Sequence, residues 1–333
     1  MDRRRFVALI GSALACPGVL RAQTRPKAVR LGLLANSVPV HPVLMEPIVH
    51  GLRERGWIEG PDFAIDGRAH GGNFAKAVEL ATQFADARVN AIVALATNSA
   101  VAAKRATGTM PVITWCGDPV AAGLVRSLAH PGGNVTGIAN YPSAELFGKL
   151  VDVLHDVHPA LRELAILWDF MPPGFPDGPI HLEALLLAAK RLGVRSRVWM
   201  VRNEKDLLAA LSAIERANFN GLFVSASGGI HQLAALSSRI AAVVERRKLP
   251  TITNIVGETF ASARCLLTYS SNVAELGGRL AYFIDRVLRG ADPGDLPIEQ
   301  PTKFELIINL KVAKALGIAI PQDVLIRADR VIE

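Results

Sequence analysis

Short apolar runs alternate with longer segments of helical periodicity along almost the whole chain, and this alternation constrains the fold more than any other feature. The runs predict strands at 29–35, 63–68, 91–96, 111–116, 134–139, 164–169, 196–201, 221–226, 251–254, 265–270 and 304–309. Helical periodicity between them covers 43–55, 74–87, 144–155, 182–192, 204–217, 230–247 and 273–288. Parallel strands joined by such helices form sheets that are buried on both faces. Two such series, 28–140 and 160–256, therefore predict an α/β fold with two similar, doubly wound parallel-sheet lobes.

Length and composition agree with two folded lobes. The chain has 333 residues, which is long for one domain and sufficient for two. Half of the residues are hydrophobic and a fifth are charged, which excludes a disordered chain. The net charge is +7, but residues 1–22 carry three of these positive charges, and the remaining Lys and Arg residues are scattered. We therefore expect no nucleic acid as a partner.

The first 22 residues have the layout of an export signal. A basic start with Arg3, Arg4 and Arg5 precedes an apolar run that is too short to span a membrane. The paired arginines favour a twin-arginine signal, with a general secretory signal as the alternative, and Pro17 disfavours lipid attachment at Cys16. No later apolar run reaches the length of a membrane helix, so we expect a soluble periplasmic protein.

Sequence motifs of enzymes and metal sites are missing. The chain contains no P-loop, no dinucleotide fingerprint, no G-x-S-x-G, no H-E-x-x-H and no C-x-x-C. His155 and His158 have a spacing that could hold a metal, but Pro159 follows at once and favours a helix end instead. The other histidines, His70 and His181 among them, are expected on the surface or at caps. We therefore predict no catalytic residue, metal or cofactor.

Polar side chains recur where the predicted strands end. In the first lobe they are Asn36, Ser37, Thr97, Asn98, Ser99 and Asp118, and in the second they are Asp169, Ser225, Ser227 and Asn254, with Tyr269 ending a later strand. A single such cluster is typical of a helix cap. Because the carboxyl ends of the strands of both lobes border the cleft between them, the whole set predicts a small polar ligand, such as a carboxylate, bound in that cleft.

Two residues of the fourth strand region have alternative interpretations. Asp118 either binds a ligand ammonium group or caps the short segment that begins at Pro119. Trp115 either forms an aromatic wall of the pocket or packs under the sheet. For Cys116 and Cys265 we expect buried thiols, with a disulfide as the less favoured alternative.

Two segments carry a resemblance to a known family: "GDPVAAGLVRSLAHPGGNVTG" at 117–137 and "QPTKFELIINLKVAKALGIAIPQDVLIRADRVIE" at 300–333. They resemble the periplasmic substrate-binding proteins of ABC importers, in the family that includes tryptophan and tyrosine binders. The resemblance implies a type I periplasmic-binding-protein fold, with three hinge crossings near 138–141, 254–258 and 300–303. It divides the chain into a first lobe of 28–140 plus 257–295 and a second lobe of 141–256 plus 296–333.

The resemblance also implies a function. The protein would bind an amino-acid-like, aromatic or carboxylate-bearing solute by hinge closure, as a monomer, and deliver it to a permease of the inner membrane; a ligand sensor that signals to a membrane receptor is the alternative. The family's ligand contacts would match the polar residues at the strand ends. The sequence departs from the relatives' pattern at two places. These are Trp115 and Cys116 before the Gly-Asp-Pro segment, and Ala263, Arg264 and Ser270 around a later strand. These departures indicate a pocket unlike that of the tryptophan binders.

Overall fold

A computed structural model describes residues 28–36, 40, 42–140, 143–169, 177–225, 237–254 and 265–333. The predicted signal at 1–22 and two predicted site residues, Ser37 and Ser227, lie outside this part of the chain. Within it, no helix combines the length and the apolar character needed to cross a lipid bilayer. The elements named below are those of the described residues.

The first sheet has five strands in the order β2-β1-β3-β4-β5, and all its neighbouring strands are parallel. Its strands are β1 (Val29–Ala35), β2 (Phe63–Ala69), β3 (Ala91–Leu95), β4 (Val112–Cys116) and β5 (Val135–Ala139). The helices between them are α1 (Pro42–Glu54), α2 (Phe74–Asp86) and α3 (Thr97–Ala106). Strands β3, β4 and β5 are buried throughout, as expected for a parallel sheet that is covered on both faces.

The second sheet has seven strands in the order β12-β11-β10-β9-β8-β6-β7. Its strands are β6 (Glu163–Asp169), β7 (Arg195–Val201), β8 (Gly221–Val224), β9 (Thr251–Thr253), β10 (Leu267–Ser271), β11 (Phe304–Asn309) and β12 (Arg330–Ile332). Its helices are α4 (Ala144–Val157), α5 (Asp177–Arg191), α6 (Glu204–Arg216), α7 (Ser237–Arg247), α9 (Leu310–Leu316) and α10 (Gln322–Ile326). The pairing of β10 with β11 is antiparallel, and the other pairings are parallel.

Each sheet has a hydrophobic core on both faces. Helix α1 and a long later helix, α8 (Val273–Leu288), cover one face of the first sheet, and α2 with α3 covers the other. Helices α4 and α5 cover one face of the second sheet, and α6 with α7 covers the other. The parallel part of the second sheet, β7-β6-β8-β9-β10, repeats the order of the first. This arrangement confirms the predicted α/β fold of two similar, doubly wound lobes.

The chain passes between the sheets three times: after β5, between β10 and α8, and between Glu299 and β11. The second passage differs from the prediction, which placed it near 254–258 and assigned 257–295 to the first lobe. Strand β10 pairs with β9 and β11 and therefore belongs to the second sheet. Only after Ser271 does the chain return to the first lobe, where α8 packs against α1.

Close packing holds α8 on α1. A Cβ atom at Gly51 would lie 2.8 Å from the Cβ of Ala281, and a Cβ at Gly277 would lie 2.5 Å from the Cβ of Pro47. Glycine is therefore needed on both helices for this approach. Beyond the end of α1, the Nε1 of Trp57 donates a 2.8 Å hydrogen bond to the Asp285 carboxylate.

We expect the Gly137→Ala variant to be far less stable than the wild type. Gly137 has φ +132°, a Cβ there would lie 2.1 Å from the Thr114 carbonyl oxygen, and its own carbonyl accepts from the amide of Glu299 at 3.0 Å. The free energy of unfolding in urea should fall by about 3 kcal/mol or more. Gly278→Ala is the control, because no atom lies within 4 Å of its Cβ and its helix gains propensity. Equal urea midpoints for the two variants would contradict the argument.

Candidate functional site

The carboxyl ends of β1 and β3 meet at the point where the strand order of the first sheet reverses. Ligands of open α/β sheets bind in the crevice outside such a point. Asn36 directly follows β1, Thr97 and Asn98 follow β3, and the Asn98 amide lies 3.4 Å from the Asn36 side-chain oxygen. The structure thus brings together two polar residues that are 62 positions apart in sequence.

The junction between β3 and α3 is strained. Ala96 has φ +84° and ψ 155°, a backbone conformation that is nearly restricted to glycine. Two hydrogen bonds hold it there: its amide donates to the Trp115 carbonyl at 2.8 Å, and its carbonyl accepts from the Ala100 amide at 3.1 Å. Such strain costs about 1–3 kcal/mol and clusters at ligand clamps and active sites. The junction is therefore a marker of a functional site.

The first turn of α3 is open at its amino end. Ala96 provides no side-chain cap, and the Ser99 amide donates to the Asn98 side chain at 2.9 Å. Within the part of the chain that the structure describes, the backbone amides of Thr97 and Asn98 have no hydrogen-bond acceptor. Unpaired amides and the positive end of the helix dipole attract an anion such as a carboxylate.

The hydroxyl of Thr97 joins the ends of two strands. It accepts a 3.0 Å hydrogen bond from the amide of Gly117, which follows β4. Asp118 comes next and accepts from the amides of Val120 and Ala121 at 2.9 and 3.0 Å. Of the two interpretations of Asp118, the structure contains the cap; a contact with a ligand ammonium group stays a prediction.

His70 lies beneath this surface, which corrects the expectation of a surface or cap residue. It follows β2, it is 2% exposed, and its Nε2 lies 3.0 Å from the hydroxyl of Ser99, which is itself fully buried. Burial lowers the pKa of His70, so its imidazole is neutral at pH 7. Ser99, a predicted site residue, is therefore buried against His70 behind the first turn of α3. The sequence signal for His70 was its position at the end of a predicted strand.

Trp115 and the cysteines occupy the cores. Trp115 packs with β3, β4, α1 and α8, as in the second interpretation given for it. Cys116 lies in the core on the opposite face of the same sheet, whereas Cys265 lies in a core of the second lobe. The two thiols form no disulfide, as expected, and burial raises the pKa of Cys265 far above its usual range.

The second lobe offers polar groups at equivalent positions. Ser225 follows β8, and its amide donates to the Leu167 carbonyl of β6 at 2.9 Å. Asn254 follows β9 and is 8% exposed, while Asp169 is the last residue of β6. Because β6 and β8 are neighbours at the reversal point of this sheet, Asp169 and Ser225 stand where Asn36 and Thr97 stand in the first lobe. Asn254 follows the next strand, at the position that Gly117 has in the first lobe.

Tyr269 has different surroundings. It lies within β10, with its ring centroid 6.2 Å from that of Phe304, and it packs on the core formed by α4 and α5. Burial raises the pKa of its phenol, and the negative charge of Asp329 adds to this effect. Among the described residues, the neighbours of Tyr269 therefore lie on one face of the sheet and next to β12, rather than at the strand ends.

Hydrogen bonds connect the three passages between the lobes. The Ser271 hydroxyl, at the end of β10, donates to the Asn140 side chain, directly after β5, at 2.7 Å. The next residue is Asn272, whose side chain caps α8 by accepting a hydrogen bond from the Glu275 amide. The backbone amide of Asn272 donates to the Lys303 carbonyl at 3.1 Å. Asn140 and Ser271 are polar residues at strand ends that were not among the predicted site residues, and they join two of the passages between the lobes.

The described residues contain no group of three or more His, Cys, Asp or Glu side chains that could hold a metal ion. Helix α4 ends at Val157, and His158 is its C-terminal cap, as the helix-end interpretation of the two histidines predicted. Burial lowers the pKa of His158, and nearby His155 adds to this effect.

Comparisons with known proteins agree with this architecture. Residues 40–332 match the model of a family described as ABC transporter substrate binding protein. A tyrosine-binding protein of Clostridioides difficile is 26% identical over 269 residues, which cover 80% of this chain and 74% of that protein. The crystal structure of a conserved domain protein from Vibrio cholerae is 25% identical, with a TM-score of 0.78, and covers 92% of this chain and 100% of that chain. The structure of an ABC domain from Streptococcus pneumonia in complex with L-Trp has the same fold, with a TM-score of 0.80 at 24% identity and the same coverage.

Ala96→Gly should raise the stability of the ligand-free protein, in the same direction as the preference for glycine over alanine at an N-cap. Removing the Cβ relieves the strain at φ +84°, so we expect a gain of about 1 kcal/mol in the free energy of unfolding. Ala209→Gly is the matched control, because Ala209 is exposed in the middle of α6 and its replacement should cost about 1 kcal/mol. If urea denaturation shows the same loss in both variants, Ala96 is not strained.

Proposed function

We propose that this chain, which belongs to the ABC transporter substrate binding protein family, captures a small carboxylate-bearing solute in the cleft between its lobes and delivers it to a membrane permease. An amino acid is the favoured class of solute, since the family's curated relative binds tyrosine. The chain acts by binding rather than by catalysis, and it needs no cofactor.

The open first turn of α3 is the observation that carries the proposal. Among the described residues, the amides of Thr97 and Asn98 at the positive end of this helix have no acceptor, and the strained residue Ala96 precedes them. Two neighbouring amide donors at a helix start suit the two oxygens of a carboxylate. The first lobe would therefore hold the acidic end of the solute.

The second lobe would bind the rest of the solute. Ser225 and Asn254 lie at strand ends of the second sheet, and Asp118 of the first lobe would pair with an ammonium group. A solute that contacts both lobes binds the closed form more tightly than the open one, and it shifts the population toward closure. Residues 138–140, 271–273 and 299–304, which connect the lobes, are where this rotation would take place.

The proposed place of action is the periplasm. Residues 1–22 would serve as the export signal, and the mature protein would meet its solute outside the inner membrane. Closure would then change the surface that the permease recognises. The same solute would be released when the complex with the permease opens the cleft.

A thermal-shift screen of the standard amino acids and of aromatic carboxylic acids tests the function. A solute at 100 times its Kd should stabilise the protein by about 2.7 kcal/mol, because it binds only the native state. The carboxamide of each active compound is the control, and it should bind at least about tenfold more weakly because it lacks the charged oxygens. If no compound of the panel raises the melting temperature, the transport proposal loses its main support.

Thr97→Ala should weaken binding of the solute found in that screen by about tenfold in calorimetry, because the loop after β4 loses its hydrogen bond to Thr97. Thr107→Ala is the control: its hydroxyl donates to the Ala103 carbonyl at the other end of the same helix. We expect Thr107→Ala to bind the solute as tightly as the wild type, although its free energy of unfolding should fall about as much as that of Thr97→Ala. Equal affinities in both variants would remove Thr97 from the site.

Two substitutions separate the roles of Asp118. Asp118→Asn keeps an oxygen that can accept from Val120 and Ala121 but removes the charge, whereas Asp118→Ala removes both. If Asp118 binds an ammonium group, both variants should lose at least about tenfold in affinity. If Asp118→Asn binds the solute as tightly as the wild type, the Asp118 carboxylate only caps the segment that follows it.

A further inference from the structure

His70 supports the binding site from a position where no ligand reaches. Its side chain is 2% exposed, its Nε2 lies 3.0 Å from the Ser99 hydroxyl, and Ser99 is the third residue of α3. The His70 backbone is fixed as well, since its amide donates to the Ala35 carbonyl at 3.1 Å and its carbonyl accepts from the Asn73 amide. A rigid imidazole at the end of β2 therefore contacts the first turn of α3 from the side.

The hydrogen bond between His70 and Ser99 is possible in either neutral tautomer of the imidazole. Nδ1 of His70 is buried and has no hydrogen-bond partner among the described residues. With the hydrogen on Nε2, the ring donates to the Ser99 oxygen; with the hydrogen on Nδ1, the Ser99 hydroxyl donates to Nε2. Burial lowers the pKa of His70, which favours these neutral forms. The contact between Nε2 and the Ser99 hydroxyl is therefore kept in both tautomers.

This bond replaces the usual way of holding a helix start. An ordinary N-terminal cap places a side-chain oxygen on the first free amides and thereby occupies them. Helix α3 begins at Ala96 without such a cap, although the helix start must be held in a strained conformation. A side contact from His70 to Ser99 fixes the first turn and leaves the Thr97 and Asn98 amides free.

We infer that His70 is a positioning residue for solute binding, which holds the first turn of α3 through Ser99 so that the Thr97 and Asn98 amides stay in place for a carboxylate. This inference rests on the proposed function. Stability alone does not explain a histidine here. An apolar side chain would fill the same buried space without an unpaired Nδ1, and the protein would be at least as stable.

Two variants test the inference. His70→Leu with Ser99→Ala removes both polar partners and keeps an apolar filling, so the melting temperature of the ligand-free protein should be unchanged or higher. The amides of the first two turns of α3 should nevertheless exchange with solvent at least tenfold faster. His70→Gln is the matched rescue, because its side-chain amide nitrogen reaches about as far as Nε2 and can donate to Ser99. Exchange in this variant should return toward that of the wild type.

Hydrogen exchange of α3 needs no ligand, and it compares the double variant and His70→Gln with the wild type. Equal exchange in the double variant and the wild type would overturn the inference whether or not a solute is known.

Calorimetry with L-tyrosine and L-tryptophan as probes tests the link to binding. For a probe that binds the wild type, affinity should fall at least tenfold in the double variant and recover in His70→Gln. Unchanged affinity, despite faster exchange, would overturn the positioning role. If neither probe binds the wild type and the wider panel also fails, the proposed function fails, while the exchange rates still decide whether His70 holds α3.

Discussion

The contact between α1 and α8 is the interaction on which the two-lobed arrangement depends. Gly51 and Gly277 let the two helices approach until Ala281 and Pro47 touch the opposite backbone. Because of this contact, a chain that has already built five strands of the second sheet returns to cover the first one. The return completes the first core and places the passage at Ser271 beside those at Asn140 and Lys303. The place where the three passages between the lobes meet is thus a product of helix packing in one lobe.

The proposed binding surface of the first lobe combines strain with lateral support. Ala96 is held in a glycine-like conformation by bonds to β4 and to α3, and Ser99 is held by His70. Among the described residues, the amides of Thr97 and Asn98 beside this strained start have no acceptor. Such a surface would be preorganised, since a solute would find the donors in place and would need to order little of the protein when it binds.

Local patterns explain why much of this could be predicted from the sequence. Apolar runs located the strands of both sheets, and the polar residues after them located Asn36, Thr97 and Ser225 at the reversal points of the strand order. Pairing partners are not local, however. Strand β10 was assigned to the wrong lobe because its neighbours, β9 and β11, are defined only by tertiary contacts. Burial of His70 and the packing of Tyr269 depend on such contacts too, as does the backbone strain at Ala96, which no sequence pattern signals.

The return of the chain to the first lobe also determines when that lobe can fold. Thr136 donates to the Leu296 carbonyl across 160 positions, and Trp57 donates to Asp285 across 228. Contacts of such long range close large loops, which slows folding. During synthesis, the strands of the first sheet are made early, but the core of the first lobe is complete only after α8 and Glu299 have been made. The second lobe waits for β12, whose last residue is Ile332. Both lobes therefore reach their native packing only after almost the entire chain has been made.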